Sequence, residues 1–139
     1  MQVETILAFG GHSEAAIQFY QEAIGAEVQV MLRWKDSPDP AMLTVSSDPD
    51  KIMHASFRIG DTILMATDGI ETLAQPDIKG VTLNLEARDD SEARQLFAAL
   101  SNGGTVQMPL SKTFWTSLSG MLTDRFGVSW MVNVVSPTK

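Results

Sequence analysis

The chain of 139 residues contains no cysteine. A disulfide framework, a thiolate metal site and a thiol nucleophile are therefore excluded. No apolar run approaches the roughly 20 residues that a membrane-spanning helix needs. The first residues, from Met1 to Thr5, also lack the basic start and long apolar stretch of a signal peptide. Together these absences predict a cytoplasmic protein.

Basic residues are few, with 10 Lys and Arg against 17 Asp and Glu and a formal net charge of -7. Proteins that bind nucleic acids usually carry a basic stripe, and the sequence shows none. We therefore expect neither a nucleic acid nor a membrane as a partner. The hydrophobic content of 44% is sufficient for the core of one domain over residues 1–139.

Two amphipathic helices are the clearest local patterns in the sequence. The first is predicted between Ser13, a candidate N-cap, and Gly25, a natural left-handed terminator. The second is predicted from about 90 to 102. The second helix repeats the pattern of the first at an offset of seventy-eight residues, because Ser91 matches Ser13 and Gly103 matches Gly25. This match predicts an internal duplication.

The strands around the two helices repeat in the same order. A predicted strand precedes and follows each helix, and each half ends in a hairpin whose turns, 58–60 and 125–127, stand sixty-seven residues apart. The offset between the two halves falls from seventy-eight residues at the helices to sixty-seven at the turns, because a polar, proline-rich loop, 35–50, lengthens the first half. The order predicts two βαβββ modules, at about 1–70 and 78–139. The predicted strands that flank the helices are Val3–Phe9, Glu27–Arg33, Val81–Ala87 and Thr105–Leu110, and the returning strands of the hairpins are Ile63–Ala66 and Trp130–Val134.

Alternation within the predicted strands separates an apolar face from a polar one. Over 52–59 the polar face carries His54, Ser56 and Arg58, and over 81–88 it carries Asn84 and Glu86. The apolar face is expected to pack on a helix, and the polar face to meet solvent or a cavity. The predicted fold is therefore α+β, a cupped mixed β-sheet with helices on its outer face. A cup is the default place for a ligand.

Several short motifs resemble the vicinal oxygen chelate superfamily of glyoxalase I, bleomycin- and fosfomycin-resistance proteins and extradiol dioxygenases. The closer resemblance is to its PhnB-like branch, and it covers nearly the whole chain. The motif from Gly120 to Trp130 is fairly specific, and the other motifs are individually weak. The matching pieces are Phe9-Gly10-Gly11, Glu14-Ala15-Ala16, Phe19-Tyr20, Met53-His54-Ala55, Ile59-Gly60-Asp61, Leu64 to Asp68, Gly103-Gly104 and Gly120 to Trp130.

The resemblance implies a divalent ion in the metal-dependent relatives. By pattern, and to within about one residue, the corresponding positions in this chain are Glu4 or Thr5, Leu64, Thr82 and Met131. Leucine and methionine do not bind a hard cation, so no cofactor is expected at the usual place. A displaced set made of Glu4, His54 and Glu86 stays open as an alternative.

Proteins that resemble this branch are often labelled 3-demethylubiquinone methyltransferases. S-adenosylmethionine usually sits on a glycine-rich turn between a parallel strand and a helix. Gly10 and Gly11 precede a helix, but no alternating βαβα pattern follows them. The sequence therefore argues against methyl transfer.

His54 is the candidate catalytic residue, because an imidazole on a polar strand face can act as acid, base or donor near neutral pH. The alternative is a structural histidine that is bonded to a neighbouring strand or to water. Trp34 is a further candidate wall of an apolar pocket, whereas Trp130 is predicted to lie in the core. The other pocket candidates are Glu4, Arg58, Asn84, Glu86, Trp115 and Met131.

Three functions are compatible with these residues. The first is a metal-free small-molecule-binding protein, or an enzyme whose chemistry rests on His54. The second is a metal-dependent lyase, isomerase or dioxygenase with displaced ligands. The third is a resistance-type protein that sequesters its ligand and needs no catalytic group. A homodimer is also predicted, because exposed sheet edges favour pairing.

Overall fold

A computed structural model describes residues 1–135 of the chain. The chain divides into two compact units, Met1–Ile78 and Lys79–Lys139, and the last four residues of the second predicted module lie outside the described residues. Each unit contains one helix and a four-stranded mixed sheet. The prediction of an α+β fold that repeats a βαβββ module is therefore confirmed.

The first unit follows the predicted order of elements. Its strands lie in the order β1-β4-β3-β2, with β1 parallel to β4 and the other pairs antiparallel. Two short 3₁₀ helices, Trp34–Asp36 and Pro40–Thr44, occupy the long loop after β2. The elements are β1 Ile6–Ala8, α1 Ser13–Ile24, β2 Glu27–Arg33, β3 Ile52–Ile59 and β4 Thr62–Thr67.

The second unit repeats this topology. Its strands lie in the order β5-β8-β7-β6, with β5 parallel to β8. None of the helices that the structure describes is long and apolar enough to cross a membrane. The elements are β5 Thr82–Ala87, α2 Asp90–Ser101, β6 Thr105–Ser111, β7 Ser119–Thr123 and β8 Ser129–Val134.

One face of each sheet is buried in the core of its unit, as the alternation predicts. In the first unit Tyr20 of α1 stacks on Phe57 of β3, with ring centroids 6.1 Å apart. Both side chains are fully buried, and offset aromatic pairs add to the free energy gained by burial. In the second unit Trp130 is only 3% exposed, which confirms its predicted place in the core.

The start of α1 differs from the prediction. Ser13 is the first helical residue and not the N-cap, which is His12 and makes no side-chain cap bond. The cap function comes from Asp68, just after β4, whose Oδ1 accepts hydrogen bonds from the N–H groups of Gly11 and Ser13. A cap from a distant strand has no local sequence pattern, so the prediction of Ser13 was wrong. Helix α2 is capped locally by Asp89.

The two hairpins differ in length, which changes one predicted equivalence. Gly60 and Asp61 join β3 to β4, whereas residues 124–128 join β7 to β8. Leu64 is consequently paired with buried Phe57 on the helix side of its sheet, and the neighbouring Met65 lies on the opposite side. The counterpart of Met131 is therefore Met65, one residue from Leu64 and within the tolerance of the prediction.

Candidate functional site

Face 1 is defined as the helix-free face of the first sheet. It carries His54 and Ser56 on β3, and Leu32 stands opposite His54 on β2. Ser56 stands opposite Met65 on one side and Val30 on the other. Aliphatic side chains on both flanking strands thus surround the two polar groups of β3. Those that are exposed are Val30, Leu32 and Ile63, and Ile6 of β1 is exposed beside Met65.

His54 lies half-buried in the middle of β3. Its imidazole has no hydrogen-bond partner among residues 1–135. Its ring nitrogens are not among the buried side-chain atoms that lack a partner, so water or a ligand can bond to them. The alternative of a histidine bonded to a neighbouring strand finds no support within these residues.

Two other predicted residues of the first unit lie away from the middle of face 1. Arg58 is at the end of β3, where its guanidinium forms an ion pair with Glu27 at 2.6 Å. This pair is exposed, and the Glu27 carboxylate balances the charge of Arg58. Glu4 is exposed and precedes β1, which begins only at Ile6.

Face 2 is defined as the helix-free face of the second sheet. Asn84 of β5 and Met131 of β8 are partners in the strand register. Asn133 donates a hydrogen bond of 2.6 Å from Nδ2 to Oδ1 of Asn84. The Oδ1 atom of Asn133 is buried and has no partner among the described residues. Face 2 therefore combines an amide pair with methionine.

Asn133 is a site candidate that the sequence reasoning missed. The signal was present, because Asn133 alternates with the core residues Val132 and Val134 at the end of β8. Glu86, which was predicted, is exposed and stands opposite Asn133 in the register.

The two tryptophan candidates have different environments. Trp115 lies in the loop between β6 and β7 and is 47% exposed. Its ring packs edge-on against that of Phe114, with the ring centroids 4.9 Å apart. Trp34 is 6% exposed, and its Nε1 donates a hydrogen bond of 3.1 Å to the carbonyl of Gly69. Trp34 is therefore part of the core of the first unit, and the expectation that it lines a pocket was wrong.

At two of the four positions that the resemblance assigns to the metal, the side chains do not suit a divalent ion. Leu64 is buried on the helix side, and Met65 takes the corresponding open position. Both Met65 and Met131 offer a thioether, which is a poor ligand for a hard cation. Among residues 1–135, no three His, Asp or Glu side chains are grouped in a way that would hold a metal ion.

A cleft of about 630 Å³ lies on the other side of the first sheet, between α1 and β2. Glu14 and Lys51 are at one end of it, and Gln21 is at the other. The Glu14 carboxylate forms an ion pair with Arg33. The hydrogen bonds that it accepts from the guanidinium are the largest cause of the raised pKa of Arg33. The sequence reasoning missed this cleft, because its residues come from three separate segments.

Gly10 and Gly11 have a structural role in this chain. Both have positive φ angles, of 58° and 101°, which other residues rarely adopt. A Cβ atom on Gly10 would lie 2.9 Å from the Leu73 side chain, and one on Gly11 would lie 2.7 Å from that of Thr72. The segment 72–73 therefore covers the two glycines.

The two βαβββ units with open sheet faces define the vicinal oxygen chelate class. FosX, a fosfomycin resistance protein from Mesorhizobium loti, has the same fold with a TM-score of 0.62 at 12% identity, covering 99% of this chain and 94% of FosX. That identity supports the fold alone. The predicted superfamily and its PhnB-like branch are both confirmed.

Within this class, a family model described as 3-demethylubiquinone-9 3-methyltransferase matches residues 1–133, and the chain belongs to that family. It is 31% identical to Protein YjdN of Escherichia coli, over 97% of this chain and 96% of YjdN. The crystal structure of PA1353 from Pseudomonas aeruginosa is similar, with a TM-score of 0.82, 42% identity and 96% and 97% of the chains covered. The PhnB protein from Bacillus cereus shares the fold with a TM-score of 0.78 at 24% identity, covering 97% of this chain and all of that protein.

Proposed function

We propose that the chain binds a small organic molecule on face 1, without a divalent ion at the family's usual place. The observation that carries this proposal is the half-buried His54 imidazole, which has no partner among residues 1–135. Leu32 and Met65 offer apolar surface beside it. A ligand with an apolar body and one polar group would bury the first and hydrogen-bond to the second.

His54 can serve the bound molecule in two ways. A neutral imidazole donates from one nitrogen and accepts at the other, so it can orient a hydroxyl or carbonyl group. It can also accept or donate a proton. The first role needs only binding, whereas the second makes the protein an enzyme. Sequestration of a ligand is therefore the second candidate function.

The proposal excludes S-adenosylmethionine as a cofactor. That molecule would need to approach a glycine-rich turn closely, and the side chains of Thr72 and Leu73 cover Gly10 and Gly11. The Leu73 N–H also donates a hydrogen bond of 2.7 Å to the Gly10 carbonyl, which holds this segment in place. S-adenosylmethionine is therefore expected not to raise the melting temperature.

A thermal-shift screen tests the proposal most broadly. Small aromatic and anionic metabolites are added to the protein with and without divalent ions. Stabilisation by an aromatic compound that is independent of the ions supports the proposal. Metal analysis of protein purified without an affinity tag tests the competing metal-dependent function, and a stoichiometric ion would contradict the proposal.

Replacement of His54 separates catalysis from sequestration. His54→Gln keeps a polar side chain but does not titrate, so binding that is retained with turnover lost identifies a catalytic imidazole. The matched control is His12→Gln at the other histidine, whose Nε2 already donates to the Leu73 carbonyl at 2.8 Å. If His54→Gln changes neither binding nor turnover, the proposed role of His54 is wrong.

We also propose that the protein is a cytoplasmic homodimer. The strands β2 and β6 are edges of their sheets and expose aliphatic side chains, which favours association. The exposed residues are Val28, Val30 and Leu32 on β2 and Val106 and Met108 on β6. A monomer in light scattering at micromolar concentration would contradict the dimer.

A further inference from the structure

We infer that the cleft between α1 and β2 is a second ligand site, separate from face 1, and that it takes an elongated amphipathic carboxylate. Val28 and Met31 line the cleft from β2, where their register partners are the buried residues Phe57 and Ala55. His54 is the partner of Leu32, on the opposite side of the sheet. The cleft and face 1 therefore lie on different sides of the same strands.

Lys51 supplies the positive charge of the cleft. Its ammonium is half-buried and donates one hydrogen bond of 2.9 Å, to the carbonyl of Gly11. Within residues 1–135 it forms no ion pair. An ammonium has three N–H donors, so two remain for a ligand.

The only carboxylate that lines the cleft is already neutralised. Glu14 is paired with Arg33, which also donates a hydrogen bond of 2.8 Å to the Asp50 carbonyl and is held in place by it. The nearby Asp50 carboxylate is itself paired with Lys35 at 2.8 Å. The carboxylates of Asp36 and Asp68 also lie near this end, where they accept hydrogen bonds from the Arg33 N–H and from the Gly11 and Ile52 N–H groups. The Lys51 ammonium is met by no ion pair among the described residues, and a carboxylate is the ligand complementary to its two remaining N–H donors.

The shape and lining of the cleft indicate the rest of the ligand. One wall is the exposed stripe of α1, from Glu14 through Gln18 to Gln21, which extends about 10 Å along the helix axis. Val28 and Met31 provide aliphatic and thioether surface along this length, and Ile17 is buried beneath it. A carboxylate at Lys51 with an unbranched apolar chain along α1 would match both features. The volume is also in the range of sites for small molecules.

Octanoate is the probe for this site. Binding is measured by titration calorimetry and by the ¹³C-methyl resonances of labelled methionine, with octylammonium as the ligand of opposite charge. We expect octanoate to bind and to shift the Met31 methyl resonance, and octylammonium to leave that resonance unchanged. A shift confined to Met65, on face 1, would overturn the assignment to the cleft.

Two variants with matched controls test the residues. Lys51→Met should weaken octanoate binding about tenfold, because a charge-assisted hydrogen bond is lost, whereas Lys112→Met in the second unit should not. Ala15→Trp places a large side chain at an exposed position of the cleft and should abolish binding, whereas Ala98→Trp on α2 should not.

The outcome is independent of the function proposed for face 1. His54→Gln should leave octanoate binding unchanged. The proposal for the cleft can therefore be wrong while the proposal for face 1 is right, and the reverse also holds. Circular dichroism and thermal unfolding establish that each variant is folded. The inference is overturned if octanoate does not bind at millimolar concentration, or if folded Lys51→Met and Ala15→Trp bind it as the unmodified protein does.

Discussion

The two units share a topology, and they differ most on their helix-free faces. Face 1 has an imidazole among aliphatic side chains, at His54, whereas face 2 has the amide pair of Asn84 and Asn133. The helix-side positions are alike, since both units bury aromatic and aliphatic residues there. Burial restricts the residues that fit the helix side, but an open face carries no such restriction. The open faces are therefore where the units acquired different chemistry.

A second difference concerns two buried aspartates. Asp68 accepts hydrogen bonds from the N–H groups of Gly11, Ser13 and Ile52, so it joins two distant segments, at 11–13 and at 52, to the end of β4. Asp124 accepts from Phe126 and Val128 and from the Trp130 indole, which are three donors of one hairpin of the second unit. These bonds of the first aspartate form a tertiary junction, whereas these bonds of the second hold a turn.

The largest expected effect tests this difference. Asp68→Ala should lower the free energy of unfolding by about 3–5 kcal/mol, because three buried N–H donors lose a charged acceptor. Asp124→Ala should cost less, because a turn can rearrange locally. Denaturant unfolding measures both, with exposed Asp61→Ala as the control, expected within about 0.5 kcal/mol of the unmodified protein. A larger loss for Asp124→Ala would contradict the assignment of Asp68 as the junction.

The two buried indoles provide the next comparison. Trp130→Phe removes a donor from the Asp124 carboxylate and should cost about 2 kcal/mol, as is usual for hydrogen bonds to charged groups. Trp34→Phe removes a donor from a neutral carbonyl and should cost about 1 kcal/mol. Urea unfolding of both variants shows which of them loses more free energy of unfolding. Equal losses would indicate that the charge of Asp124 does not strengthen its bond.

Substitutions on the two helix-free faces should change the free energy of unfolding by smaller amounts. Asn84→Ala should cost about 1 kcal/mol, because Asn133 loses its partner. His54→Gln should change stability by less than about 0.5 kcal/mol, because no described residue bonds to the imidazole. Thermal unfolding distinguishes the two. A loss above 1 kcal/mol for His54→Gln would mean that this histidine is structural.

The smallest effect concerns pH. The hydrogen bond and charge of Lys35 lower the pKa of Asp50 below its ordinary value of 3.8. The stabilisation is therefore complete above that value and is lost as the pH falls through the lowered pKa of the folded state. Because the pair is exposed, the difference in melting temperature between Asp50→Asn and the unmodified protein should be small at neutral pH and should vanish in strong acid. A difference that grows on acidification would contradict this sign.

The sequence predicted what depends on local periodicity. The helices, the repeated order of strands and the residues that share a face with His54 all follow from spacings of two and three to four residues. The cap by Asp68 and the partner of Asn84 could not be predicted, because each bond joins residues that lie far apart in the chain. The one-residue offset between Leu64 and Met65 had a similar cause, since the hairpins differ in length.

The central claim is that a small molecule binds on face 1 beside His54. The chain has eight methionines, and ¹³C-methyl labelling reports on them separately. Met65 lies on face 1, and Met31 lies on the helix side of the same sheet. The compound that stabilises the protein most in the thermal-shift screen should shift the Met65 methyl resonance in the unmodified protein and bind more weakly to His54→Gln. An unchanged Met65 resonance, with affinity for His54→Gln equal to that for the unmodified protein, would contradict the claim.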